Sequence, residues 1–354
     1  CDIQWLLLPM ADELYKKELS PEVIFSACEQ VMRKAKGSYS VIYITDSGDK
    51  PYLFAMTDPR KIRPLALGRA NGTYCLASET RVFKKINFEY VKDIPGGSAI
   101  VIDPSGKIYE KQIIKKQELP CMFEFVYFAK PDSRINGRSI HNTREELGRI
   151  LAKEQPANAD LVIPVPESGR RYAIGYSRES GIPLDEGIMK DKDERSFIQQ
   201  TQEHREKVVE EGLSFLRAVL EDKRVVLVDD SIVRGTNIRK IIQGIRSAGA
   251  KEVHVRIGCP PLIAPCYLGI DMRSKKEFIA RNSDGNIRPW DQIEREIEAD
   301  SLGYVSIEGL KKAIGFDVCK GCVEFPEGYP PEMREDVKKL FKNHKKGIRA
   351  YECL

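Results

Sequence analysis

The sequence predicts an α/β protein: a parallel sheet wound with helices, preceded by a smaller antiparallel α+β layer. Three observations predict it. The β-branched run Val225-Val226-Leu227-Val228 leads through a loop of small residues into a segment with isoleucines at 238, 241, 242 and 245, the strand–loop–helix unit of a parallel sheet. A second apolar run, Leu161-Val162-Ile163, is also followed by a loop, Pro164 to Gly169. The N-terminal third instead holds short period-two runs separated by turn residues. A chain of 354 residues has room for two domains; the expected limits are 1–118 and 119–310, with a basic helical tail over 311–354.

Composition narrows the function classes. Hydrophobic residues make up 42% and charged residues 31%, which places the chain among globular proteins. No apolar run reaches the length of a membrane-spanning helix. Lys plus Arg number 57 against 53 Asp plus Glu, a net charge of +4 spread along the chain, so no nucleic-acid surface is expected. Cys1 to Leu8 lacks the order of a secretory signal. Nine cysteines are too few and too unevenly placed for a disulfide scaffold, so a cytoplasmic location and metal or catalytic roles for the thiols are expected.

Along the chain, Leu6, Met10 and Leu14 and then Val23, Ile24, Cys28 and Val31 recur at helical spacing, with Ser20-Pro21-Glu22 as a helix start. Beyond Gly37 the period changes. Tyr39–Ile44 and Tyr52–Ala55 flank Asp46-Ser47-Gly48-Asp49 and predict a hairpin. Tyr74–Ala77 and Ser98–Ile102 predict further strands. Asp58–Leu65, with Arg60, Arg63 and Pro64, predicts a turn with a salt-bridged rim.

The segment Val228-Asp229-Asp230-Ser231-Ile232-Val233-Arg234-Gly235-Thr236 carries the chemistry. Backbone N–H groups, the Ser231 and Thr236 hydroxyls and a helix start can converge on a phosphate, and Gly235 permits close approach. Two adjacent carboxylates repel that phosphate, so Asp229 and Asp230 must face hydroxyl groups or a metal-bridged part of the ligand. A phosphorylated sugar with free ribose hydroxyls meets both requirements.

This run resembles the phosphoribosylpyrophosphate (PRPP) signature of type I phosphoribosyltransferases, in the wording of the glutamine PRPP amidotransferase family. The resemblance implies a type I phosphoribosyltransferase sheet joined to an N-terminal glutaminase domain of the Ntn-hydrolase type. It implies that Asp229 and Asp230 hold the ribose hydroxyls and Mg2+, and that Ser231, Ile232, Val233, Arg234, Gly235 and Thr236 cradle the 5-phosphate. Glu167, Ser168 and Gly169 match the pyrophosphate loop, with Ser168 on the magnesium. Residues 191–198 take the place of the loop that closes over PRPP, and Lys190, Arg195 and Ser196 match its polar positions, where cations stabilise departing pyrophosphate. The reaction implied is PRPP plus ammonia, drawn from glutamine in the family, to 5-phosphoribosylamine and pyrophosphate. Purine nucleotide feedback ligands and a homo-oligomer are implied with it.

Cys319-Lys320-Gly321-Cys322 taken alone fits redox chemistry, zinc or accident. Together with Cys121 and Cys266 it matches the iron–sulfur branch of the family, whose four thiolates hold a [4Fe–4S] cluster. A four-thiolate zinc site has the same ligand count.

The chain departs from the family in three places. Cys1 lacks the glycine and oxyanion donors of the family's N-terminal nucleophile. Cys1-Asp2-Ile3-Gln4 instead resembles an internal glutaminase stretch in which Asp2 would bind the glutamine amino group, so a partial glutaminase half, including Arg63-Pro64-Leu65 and Ala77–Thr80, without hydrolytic function is expected. Asp191, Asp193 and Glu194 oppose a pyrophosphate electrostatically, and Gly212 stands where the family has a lysine. The expected activity is therefore ammonia-dependent. The competing readings are a PRPP-binding regulator with weak or no turnover and a salvage transferase acting on a nucleobase.

Overall fold

A computed structural model describes residues 4–15, 17–45, 51–190, 212–270, 278–282 and 286–343. It divides into two compact units, the first comprising Cys1–Ile140, Pro265–Ser274 and Phe316–Leu354, the second His141–Ala264 and Lys275–Gly315.

In the first unit, two helices, Gln4–Leu14 and Pro21–Lys34, occupy the expected helical region. The second begins where the sequence indicates. Ser20 Oγ accepts the Val23 N–H at 3.3 Å, Pro21 takes the first helical position, and Arg33 and Lys34 sit in the last turn. Its apolar face, including Ile24, Cys28 and Val31, is buried with Tyr43, Phe54, Met56 and Val101. Those residues come from an antiparallel sheet in the order β1 (Ser40–Ile44), β2 (Leu53–Thr57), β6 (Ser98–Ile102), β7 (Ile108–Gln112). The expected hairpin is β1–β2, pairing Ser40 with Thr57 and Ile44 with Leu53; its turn, 46–50, lies outside the described residues. A further core of Ala55, Leu65, Leu67, Ile94 and Ile100 joins β2 and β6 to residues of a second sheet and its flanks. That sheet has the order β4 (Thr73–Ala77), β3 (Ala66–Ala70), β5 (Glu89–Asp93). Among the described residues no helix is long and apolar enough to cross a membrane.

The 58–63 turn is anchored by a buried acid. Asp58, 1% exposed, accepts N–H groups of Tyr39 (3.2 Å), Arg60 (2.9 Å) and Ile62 (3.1 Å). The expected salt-bridged rim is present, with Arg60 paired to Glu332 at 2.7 Å and Arg63 to Glu124 at 3.0 Å.

The expected limits at 118 and 310 do not coincide with the two units. Leu119 N donates to Arg60 O at 2.7 Å, Cys121 N to Ile62 O at 2.9 Å, Met122 N to Cys319 O at 3.0 Å and Cys319 N to Pro120 O at 2.9 Å. This backbone pairing fastens the segment after 118 and the tail after 315 to the first unit. A short hairpin, β8 (Arg134–Ile135) with β9 (Arg138–Ser139), completes it.

The second unit is the parallel α/β layer. Its sheet has the order β10 (Leu161–Pro164), β13 (Arg224–Asp229), β14 (Glu252–Ile257), β15 (Ser301–Tyr304), all pairs parallel. Val225 to Val228 are fully buried, as a continuous apolar run in a parallel strand requires. The helix Thr236–Ser247 buries the predicted isoleucines at 238, 241, 242 and 245. A separate antiparallel pair, β11 (Ile188–Lys190) and β12 (Leu213–Phe215), flanks residues 191–211 in the chain, which lie outside the described residues.

Burial pushes the Asp58 carboxyl up to about 7 against the pull of its N–H donors. Because this lies above an unfolded value of about 3.9, the folded chain binds the extra proton between about pH 4 and pH 7. The stability it contributes is complete below that window and lost as pH rises through about 7. Urea unfolding of the wild-type and Asp58→Asn chains across that range checks this. The variant is expected to lose this fall in stability, and to be weaker by about 1–3 kcal/mol because a carboxamide offers one oxygen to three N–H groups.

Candidate functional site at the ends of β10 and β13

Register builds the site. Pro164 pairs with Val228, so the loops leaving β10 and β13 start side by side at the carboxyl ends of the strands, where open α/β sheets bind ligands. Val165 N donates to Val228 O at 2.9 Å, and Gly169 N to Val165 O at 2.9 Å. The first loop thus folds back onto β13. A Cβ on Gly169 would meet Val228 O at 2.2 Å, so only glycine fits. The Pro166–Glu167 peptide is cis.

That loop brings Ser168 to the acid pair, its Oγ donating to Asp229 Oδ1 at 3.0 Å. The Asp230 N–H donates to the same oxygen at 2.8 Å, and Ser231 Oγ donates to Asp230 Oδ1. Asp230 is 4% exposed, while Asp229 keeps partial exposure at the strand end. Burial holds the Asp229 carboxyl well above its ordinary range, with the Asp230 charge adding to it. Burial also raises Asp230, against hydrogen bonds from Ser231 and Ser168 and the positive charge of Arg144. Such a pair gains by meeting a cation or hydroxyl donors.

The loop after Asp230 ends at Gly235, at φ +79°, where a Cβ would also meet Ile279 Cδ1 at 2.2 Å. The helix that follows has no side-chain cap and no acid in its first turn, which leaves its N–H groups and the exposed Thr236 hydroxyl available to an anion. Ile232 is 6% exposed and belongs to the core; any part it takes in ligand binding runs through its backbone. Arg234 is exposed. Glu167 is also exposed and pairs with Arg170 at 3.4 Å. Lys190 is exposed at the end of β11, whereas Arg195 and Ser196, like Cys1 and Asp2, lie outside the described residues.

Sequence reasoning missed Arg144 and Tyr172. Both are buried, Arg144 bears on Asp230 and Tyr172, and the Tyr172 ring fills the space a Cβ on Gly258 would take. Their only sequence signal is an arginine and a tyrosine within otherwise ordinary amphipathic helices.

The four expected cluster ligands all belong to the first unit. Cys121, Cys266, Cys319 and Cys322 are 6–9% exposed and unbridged by disulfides. Cys121 and Cys319 are neighbours in a parallel bridge, and Leu268 N donates to Cys266 Sγ at 3.3 Å. Tyr329 closes the group: its hydroxyl donates to Pro265 O at 3.1 Å and accepts from Tyr267 N at 3.2 Å. Its ring packs where a Cβ on Gly321 would sit, 2.2 Å away. Burial pushes the Cys121 thiol up to about 12, with Cys266 and Glu124 adding to it, and raises Cys266 and Cys319 also. Among the described residues no three His, Cys, Asp or Glu side chains are gathered to hold a metal ion, at the acids or at the thiols. The residue types, four buried thiols within one unit, are those a four-thiolate centre would use.

Comparison with known proteins agrees with the geometry. The family described as "Phosphoribosyl transferase domain" matches residues 138–260. The chain is 43% identical over 321 residues to an amidophosphoribosyltransferase of Methanothermobacter thermautotrophicus, covering 90% of this chain and 65% of that one. It is 42% identical over 342 residues to that of Methanocaldococcus jannaschii, covering 92% and 70%. It thus spans about two thirds of the length of these relatives. Among solved structures, the glutamine PRPP amidotransferase from B. subtilis complexed with ADP and GMP matches at a TM-score of 0.78 and 35% identity, covering 91% of this chain and 70% of that one.

Gly169→Ala is expected to cost about 1–3 kcal/mol of stability, because the new methyl must push β10's loop away from Val228. The shift in denaturant midpoint at unchanged slope measures it.

Proposed function

Because the chain belongs to the amidophosphoribosyltransferase family, we propose that it joins ammonia to the phosphoribosyl group of PRPP in purine synthesis, releasing pyrophosphate. The observation that carries this reading is the acid pair at the end of β13, held by Ser168 and followed by an uncapped helix start. In the reaction the ammonia nitrogen forms a bond to the anomeric carbon. The bond from that carbon to the pyrophosphate oxygen breaks, the electron pair leaves with pyrophosphate, and the excess proton on nitrogen passes to solvent.

The residues divide this work by charge. Asp229 and Asp230 accept the ribose hydroxyls and fix the sugar as positive charge develops at the anomeric carbon, an electrostatic stabilisation that costs no reorganisation. Ser231 to Thr236 hold the 5-phosphate through N–H groups and hydroxyls. Glu167, Ser168 and Gly169 form the pyrophosphate loop, and Lys190 with Arg195 neutralises the leaving group. Ser168, Asp229 and Asp230 are the residues that would hold Mg2+, which would supply charge neutralisation to pyrophosphate.

The four cysteines are proposed as ligands of a structural [4Fe–4S] cluster, with zinc as the competing occupant. Purine nucleotides are proposed feedback ligands, since the B. subtilis relative was solved with ADP and GMP. A cytoplasmic homo-oligomer completes the proposal.

Pyrophosphate release from PRPP and Mg2+, measured with ammonium or with glutamine as nitrogen donor, tests the reading. Ammonium is expected to support turnover. Asp229→Asn and Asp230→Asn are each expected to lower kcat/KM about 10²–10³-fold. PRPP binding without turnover at saturating ammonium would instead identify a PRPP-binding regulator.

A further inference from the structure

β14 and β15 carry a second polar array at their amino ends. Glu252, His254 and Arg256 alternate along β14 and so share one face of the sheet. His254 pairs in register with Ser301, the first residue of β15. His254 Nε2 lies 3.1 Å from Glu252 Oε2, and His254 Nδ1 lies 2.9 Å from Ser301 Oγ. A carboxylate only accepts, so Nε2 carries the imidazole proton and Nδ1 is left to accept from the serine hydroxyl. Arg256, 4% exposed, completes the array by donating from Nη1 to Ser301 Oγ at 3.0 Å. Three further donations go to the carbonyls of Gln155, Val255 and Pro156. None of these four acceptors carries charge, so the buried cation favours negative charge on the serine oxygen it touches.

We propose that Ser301 is a nucleophile, with His254 as its base, Glu252 as the group that orients the imidazole and Arg256 as the cation beside the attacking oxygen. Nucleophile, base and orienting acid follow one another at hydrogen-bond distance, the arrangement that activates a hydroxyl. Asp229 pairs with Ile257 at the far end of β14, so the array lies at the opposite edge of the sheet from the acid pair and the inference does not rest on the PRPP reading. Ser301 is half-buried, which limits the substrate class to small esters such as acetyl esters. Ser301 Oγ bonds to the acyl carbon as its proton passes to Nδ1. The bond from that carbon to the leaving oxygen breaks, and the leaving group departs with the electron pair and takes the proton from the imidazolium. Water then attacks the acyl carbon and gives a proton to Nδ1. The bond to Oγ breaks, Oγ recovers that proton, and the carboxylic acid is released.

The experiment measures hydrolysis of p-nitrophenyl acetate by the full chain. Ser301→Ala and His254→Gln are each expected to lower kcat/KM about 10²-fold or more. Where a variant does not fold, the wild-type chain treated with a fluorophosphonate and mapped by peptide mass decides, with the adduct expected on Ser301. Ester turnover unmoved by Ser301→Ala, an adduct on another residue, or a wild-type chain that turns over no ester overturns the inference. Pyrophosphate release from PRPP is scored separately, so either reading can fail without the other.

Discussion

Two adjacent carboxylates held largely out of water at the end of an apolar strand are the constraint on which the second unit depends. Val225 to Val228 are fully buried, so β13 can only run through the centre of the sheet, and Asp229 and Asp230 follow at its carboxyl end. Charge there is costly unless it is matched. The register Pro164 with Val228 supplies the first part of the match, by placing Ser168 3.0 Å from Asp229. Gly169 is the condition for that register, because any side chain would strike Val228 O. Gly235 is the corresponding condition on the other side, turning the chain at φ +79° into a helix whose first N–H groups stay open. The acid pair and the uncapped helix start are therefore one construction.

This part of the molecule was legible because each step leaves a mark on the residues. A β-branched run, paired acids, small residues and helically spaced isoleucines occur in order, and the structure brings Ser168, Asp229, Asp230 and Ser231 together as that order implies. The roles of those side chains come from the resemblance, and Arg195 and Ser196 lie outside the described residues. Less legible were β3, β5 and β7. The strand Glu89–Asp93 has three exposed residues and β7 ends in three more, so neither carries the apolar alternation that marks a half-buried strand. Arg144 and Tyr172 were invisible because a helix pattern says which face is buried and not which polar group that face meets.

The two compact units divide the chain elsewhere than at 118 and 310. Nothing in the composition near residue 119 or 319 announces that Cys121 pairs with Ile62 or that Met122 pairs with Cys319. Backbone hydrogen bonds between distant segments have no residue preference to betray them. Yet these bonds place Cys121 beside Cys319 and bring Arg63 alongside. The four cysteines were recognisable as a set only through resemblance; what surrounds them is a property of the fold.

The acid pair and the thiol set follow one electrostatic rule to different degrees. Burial raises the carboxyls of Asp229 and Asp230 and the thiols of Cys121, Cys266 and Cys319, so each group favours its protonated form until a cation arrives. The acids are already served by Ser168, Ser231 and the Asp230 N–H, donors that stabilise the charged form before any ligand binds. Sulfur accepts hydrogen bonds weakly, and the bond from Leu268 N to Cys266 offers it little. The acids therefore have hydroxyl and N–H donors around them within the fold, whereas Cys266 has the weaker bond from Leu268 N.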